Sequence, residues 1–86
     1  MNIERHAIEE KIMEIIKGDE TILEDVGERT DIFEVNIEEI GLSSISYVKL
    51  LVLIENEFEI EIPDDYLQVY EFRTIESIVD YIMSVG

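Results

Sequence analysis

The stretch Ile40 to Phe58, IGLSSISYVKLLVLIENEF, constrains the fold more than any other part of the chain. Gly41 reads as a turn, and the serine pair after it as the start of a helix from Ser44 to about Glu57. Ser43 is the expected N-cap, its hydroxyl accepting from a backbone N–H two or three residues on. Two apolar stripes separate on this helix. Tyr47, Leu50, Leu51, Ile54 and Phe58 form one face and are expected to enter a core. Ile45, Val48 and Val52 form another at three- and four-residue spacing. A helix apolar nearly all round is either buried or lends a face to a partner. A chain of 86 residues cannot easily bury every side, so the second stripe is expected to meet a partner. Core packing is the alternative.

The other elements follow from periodicity and caps. Residues 3 to 17 predict a helix, with Ile8, Ile12, Ile15 and Ile16 on one side and Lys17-Gly18 as its stop. From Gly18 to Gly41 the periodicity is poor, which is long for a bare loop. Ile22, Leu23 and Val26 are expected to face inward on a short turn after Asp19. Ile32, Phe33, Val35 and Ile37 are expected to anchor the rest. Asn36 to Glu39 predicts one more turn, with Glu39 at the capping-box position. Glu59 to Ile62 alternates like a strand but has no second run to pair with, so it reads as an extended link into Pro63. Asp64 or Asp65 is expected to cap a short helix running to Tyr70. Thr74 caps the last helix, whose inward stripe is Ile75, Ile78, Val79 and Ile82. The expected fold is all-α: a four-helix bundle with a short third helix and a long loop between helices 1 and 2, forming one domain over residues 1–86. The expected core comprises Ile12, Ile15, Ile16, Leu50, Leu51, Ile54, Phe58, Ile62, Ile75, Val79 and Ile82.

Charge narrows the function. The chain carries 22 acidic and 6 basic residues, a net charge of −16. Nucleic acid and anionic membrane surfaces are poor partners for it, because phosphate neutralisation needs Lys and Arg. A basic protein partner is the natural complement, and solubility alone is the alternative. No apolar run approaches the ~20 residues of a membrane span. The segment MNIERHAIEEK lacks the apolar region of a signal peptide, so a cytoplasmic protein is expected.

Catalytic motifs are weak. There is no cysteine and a single histidine, His6. Ser43 does not stand in Gly-x-Ser-x-Gly, because Ile45 occupies the last glycine position. No calcium-loop pattern is present. Glu59, Glu61, Asp64 and Asp65 would at most hold a divalent cation loosely, so no metal site and no catalytic residue is assigned. Ser44 has different prospects. It falls in the first helical turn, where backbone N–H groups lack intrahelical partners. A phosphodiester on its hydroxyl would face those donors and the positive end of the helix dipole.

Gly41-Leu42-Ser43-Ser44-Ile45, Leu50, Leu51, Ile54-Glu55, Phe58, Glu61-Ile62-Pro63-Asp64, Thr74-Ile75 and Asp80-Tyr81-Ile82 together resemble the acyl carrier protein family. The family's usual motif is Gly-x-Asp-Ser-Leu. Here Ser43 replaces the aspartate and Ile45 the leucine. The resemblance implies that Ser44 carries a 4′-phosphopantetheine arm, whose thiol would hold an acyl or a related, aminoacyl, group as a thioester. Fatty-acid and polyketide biosynthesis are the pathways it suggests. The implied partners are a phosphopantetheinyl transferase and acyl-processing or acyl-loading enzymes with basic docking patches, met by a monomer.

The expected partner face, built on the second stripe, is Ser43, Ile45, Val48, Lys49, Val52 and Glu55, and the resemblance further implies an acyl pocket of Leu50, Ile54, Ile62 and Val79. Because Ser43 caps without charge, slow modification by an acid-dependent transferase is expected, with Ser43→Asp faster. Lys49 stands where the family commonly has an acid. It either sets partner choice by repulsion or pairs with nearby acids. The alternative to a carrier is an acidic helical interaction module in which Ser44 is only a helix-start serine.

Overall fold

The computed structural model describes residues 4–68 and 71–85. The elements are α1 (Arg5–Gly18), α2 (Glu20–Val26), α3 (Ile37–Ile40), α4 (Ser44–Phe58), α5 (Asp64–Leu67) and α6 (Ile75–Val85). The all-α class matches the sequence expectation. Helices α1, α4, α5 and α6 correspond to the expected four. The long connection between the first two holds α2 and α3. Helix α1 packs on α2, α4 and α6, and α2 packs on α4.

Several boundaries differ from the sequence reading. Glu4 is extended, so α1 starts at Arg5 rather than residue 3. Helix α5 starts at Asp64 itself and has no side-chain cap, so neither Asp64 nor Asp65 plays the capping role. Its expected end, Tyr70, lies outside the described residues. Asn36 precedes α3 as expected but makes no side-chain cap bond. The N–H of Ile37 donates instead to the carbonyl of Arg73 at 2.7 Å, and Asn36 bridges Thr74 across the same seam.

One apolar cluster joins the helices. In α1, Ile8, Ile12 and Ile16 are buried, while Ile15 is half-buried, because it lies about 100° round the helix from Ile16. Phe58, at the end of α4, is likewise half-buried at the edge. The other expected core residues are buried. Leu23 is exposed, correcting its inward assignment. Helix α2 is a single narrow stripe, and Ile22 and Val26 fill its inward side. Ile32 and Ile37 anchor the connection, with Phe33 and Val35 packed against the cluster.

Polar links also hold the later helices. Thr74 Oγ1 accepts from the N–H of Ser77 at 3.0 Å, so Thr74 starts α6 as its sequence position predicts. Tyr47 is fully buried in α4. Its hydroxyl donates to the carbonyl of Tyr66 at 2.8 Å and accepts from the N–H of Phe72 at 3.0 Å.

Candidate functional site

The site begins with a turn that only glycine makes easily. Gly41 follows α3 with φ 97°, in the left-handed region, and its N–H donates back to the carbonyls of Ile37 and Glu38. A Cβ here would also lie 3.4 Å from the backbone oxygen of Asp25. Leu42 is buried and pins the chain before it emerges at Ser43.

Ser43 is extended and caps α4. Its Oγ accepts from the N–H of Ser46 at 3.1 Å. Ser44 is the first residue of the helix and is exposed. The first intrahelical bond runs from the N–H of Tyr47 to the carbonyl of Ser43, at 2.8 Å. The N–H groups of Ser44 and Ile45 have no partner among the described residues. An exposed hydroxyl beside outward N–H donors at a helix start suits a phosphate-linked group. The residues present therefore fit the prosthetic group implied by the resemblance.

A second side chain enters this turn from α2. Asp25 Oδ2 accepts from the N–H of Ser43 at 3.1 Å and from the buried Ser46 hydroxyl at 2.5 Å. The Ser46 hydroxyl and then the Ser43 N–H hold the Asp25 carboxyl below the usual carboxylate range. The start of α4 is thus not without an acid, as Ser43 alone suggests. The acid comes from another helix.

The remaining site residues divide. Ile45 is 72% exposed and Val52 42% exposed, so this stripe is largely uncovered, while Val48 between them is half-buried. Lys49 Nζ is 2.9 Å from Asp19 Oδ2. The Lys49 ammonium and then the Ile22 N–H depress the Asp19 carboxyl below its ordinary value. Glu55 Oε2 accepts from the N–H of Ile62 at 2.8 Å, so this carboxylate is engaged by the chain that follows α4. Leu50, Ile54, Ile62 and Val79 meet in the core cluster and are buried. Glu59, Glu61, Asp64 and Asp65 do not converge. Among the described residues no group of three or more acidic or histidine side chains is placed to hold a metal ion. No helix among the described residues is long and apolar enough to cross a membrane.

Sequence reasoning missed Asp25 and the partner of Lys49. Asp19 carried a signal, as the residue before a helical turn. Its Oδ1 indeed accepts from the N–H groups of Thr21 and Ile22, at 3.0 and 3.1 Å. Asp25 carried none. It stands among many acids in an aperiodic stretch, 18 and 21 residues from its two partners.

Comparison with known proteins identifies the family. Residues 10–82 match the family model described as the phosphopantetheine attachment site. The mitochondrial acyl carrier protein of Saccharomyces cerevisiae (strain ATCC 204508 / S288c) is 31% identical over 84 residues, covering 96% of this chain and 66% of that protein. The chain belongs to the phosphopantetheine attachment-site family.

Proposed function

We propose that this protein is a carrier and not an enzyme, with Ser44 as the point of attachment of a 4′-phosphopantetheine arm. The observation that carries this reading is the exposed Ser44 hydroxyl at the first turn of a 15-residue helix, within the matched residues 10–82. When bound, the arm supplies the thiol that a chain with no cysteine lacks, and so the means to hold an acyl group as a thioester. The protein's own residues present the hydroxyl, cap the helix behind it and leave two N–H groups facing outward. Ser44 would hold the arm through its Oγ as a phosphodiester, the donor being coenzyme A, whose nucleotide phosphate would be the leaving group and whose transferase would take up the hydroxyl proton.

The partners fitting this reading are the transferase and acyl-processing or acyl-loading enzymes with basic patches. The uncovered stripe at Ile45 and Val52 and the charge of −16 both support docking on α4, with the protein acting as a monomeric single domain. Leu50, Ile54, Ile62 and Val79 would have to part to admit a cargo chain. The named relative is mitochondrial, so residence in the cytoplasm is an expectation from the sequence, for cell fractionation to test.

The test is intact mass after incubation with coenzyme A and a phosphopantetheinyl transferase. Wild type and Ser43→Ala should gain the arm, and Ser44→Ala should not. Modification persisting in Ser44→Ala overturns the assignment. No gain in wild type would leave an acidic helical interaction module.

A further inference from the structure

We propose that Asp25 is a positioning residue for Ser44: its carboxylate holds the turn that presents the Ser44 hydroxyl to the transferase. The proposal rests on the carrier reading. Ser44 lies between the two groups that Asp25 grips. The N–H of Ser43 is the residue before it, and the hydroxyl of Ser46 lies two residues after it. Both bonds end on the same oxygen, Oδ2, so they fix the two ends of the turn relative to one point on α2. The backbone oxygen of Asp25 also lies near Gly41, 3.4 Å from where a Cβ would stand. One residue therefore braces the segment from the Gly41 turn to the first turn of α4.

The brace is itself anchored. Ile22 and Val26 bury the inward side of α2, and Asp19 ties its start to Lys49 of α4. Asp25 thus transmits a fixed position rather than joining two mobile parts. The Ser46 hydroxyl is buried, and a buried hydroxyl without its acceptor would seek another, disturbing the turn. The exposed Ser44 side chain has no brace of its own among the hydrogen bonds of the described residues. Its direction follows from the backbone on either side. Attack on phosphorus needs that direction held closely, and small misplacements of a reacting atom cost rate steeply.

The experiment is steady-state transfer of phosphopantetheine from coenzyme A to wild type, Asp25→Ala, Asp25→Asn and Ser44→Ala. It is run well below the melting temperature of every variant, with helicity checked by circular dichroism. Asp25→Ala should lower kcat on the order of tenfold while KM for the carrier stays within about twofold. Asp25→Asn keeps an acceptor oxygen at the same place and should recover kcat to within about threefold of wild type. Unchanged kcat in Asp25→Ala, even with a lowered melting temperature, overturns the proposal and leaves Asp25 a stability residue. A loss confined to KM also overturns it, as does Asp25→Asn as slow as Asp25→Ala. Failure of the carrier reading is distinct, since it appears as no transfer to wild type or as transfer to Ser44→Ala.

Discussion

Lys49 Nζ lies 2.9 Å from Asp19 Oδ2, and that contact ties the outer side of α4 to the corner between α1 and α2. Asp19 is at once the residue that ends α1 and the cap that starts α2. The lysine is therefore engaged with the fold, and its partner is a side chain at the corner between α1 and α2 rather than a neighbour on α4.

Lys49→Glu should lower the melting temperature by a few degrees, since it sets a carboxylate against Asp19. Treated as a freely exposed lysine, the same position would leave melting unchanged. The effect should shrink in high salt and in the Asp19→Asn background. If Lys49 also repels the wrong enzymes, the variant gains kcat/KM with general fatty-acid synthesis enzymes and loses it with its own partner. Thermal melts at two salt concentrations, with kcat/KM for both partner sets, separate the two roles.

Ser43→Asp behaves differently once Asp25 is considered. The new carboxylate would cap α4 beside the existing one, and like charges at one turn oppose each other. The substitution should therefore speed phosphopantetheine transfer little in wild type and more in Asp25→Asn. Equal gains in both backgrounds would mean that Asp25 and position 43 do not share one environment.

Acid should remove a stabilising contribution that the Asp25 and Asp19 carboxylates make to the site. Asp25 is depressed by the Ser46 hydroxyl and the Ser43 N–H, and Asp19 by Lys49 and the Ile22 N–H. A carboxylate depressed on folding contributes stability that is full above its unfolded pKa, about 3.9. That contribution is lost as pH falls from there through the folded value. Glu9, raised by its hydrogen bond with Glu76, acts in the opposite sense. The readout is the slope of melting temperature between about pH 5 and 2. It should be shallower in Asp25→Asn than in wild type.

Glu59 ends α4 at φ 52°, the left-handed region, without being glycine. Glu59→Gly should raise stability by up to about 1 kcal/mol, because glycine adopts this conformation without a Cβ clash. Glu59→Ala removes the charge but not the strain, and so serves as the control. Denaturant melts of the three proteins decide it. A gain in alanine equal to that in glycine would assign the effect to charge.

What could be read from the sequence was what repeats or what sits next to its partner. The stripe of α6, the Thr74 cap and the Ser43–Ser46 cap depend on spacings of three or four residues, and all appear as expected. Ser44 at the helix start was legible for the same reason. Leu23 was misjudged because an apolar residue on a short helix need not reach the core, while Ile15 packs against the core at its edge. Asp25 and the Asp19–Lys49 pair were out of reach. Each joins residues brought together only when α2 docks on α4, and no local pattern marks one acid among 22 for that task.

The Tyr47 phenol makes amide exchange a probe of this docking. The N–H of Phe72 is capped by a hydroxyl buried in α4, and that hydroxyl also reaches back to the carbonyl of Tyr66. Deuterium replaces the Phe72 proton only when the phenol withdraws, and that withdrawal also breaks the bond to the Tyr66 carbonyl. The exchange rate at this one position, outside any helix, therefore reports how often α4 parts from the chain behind α5.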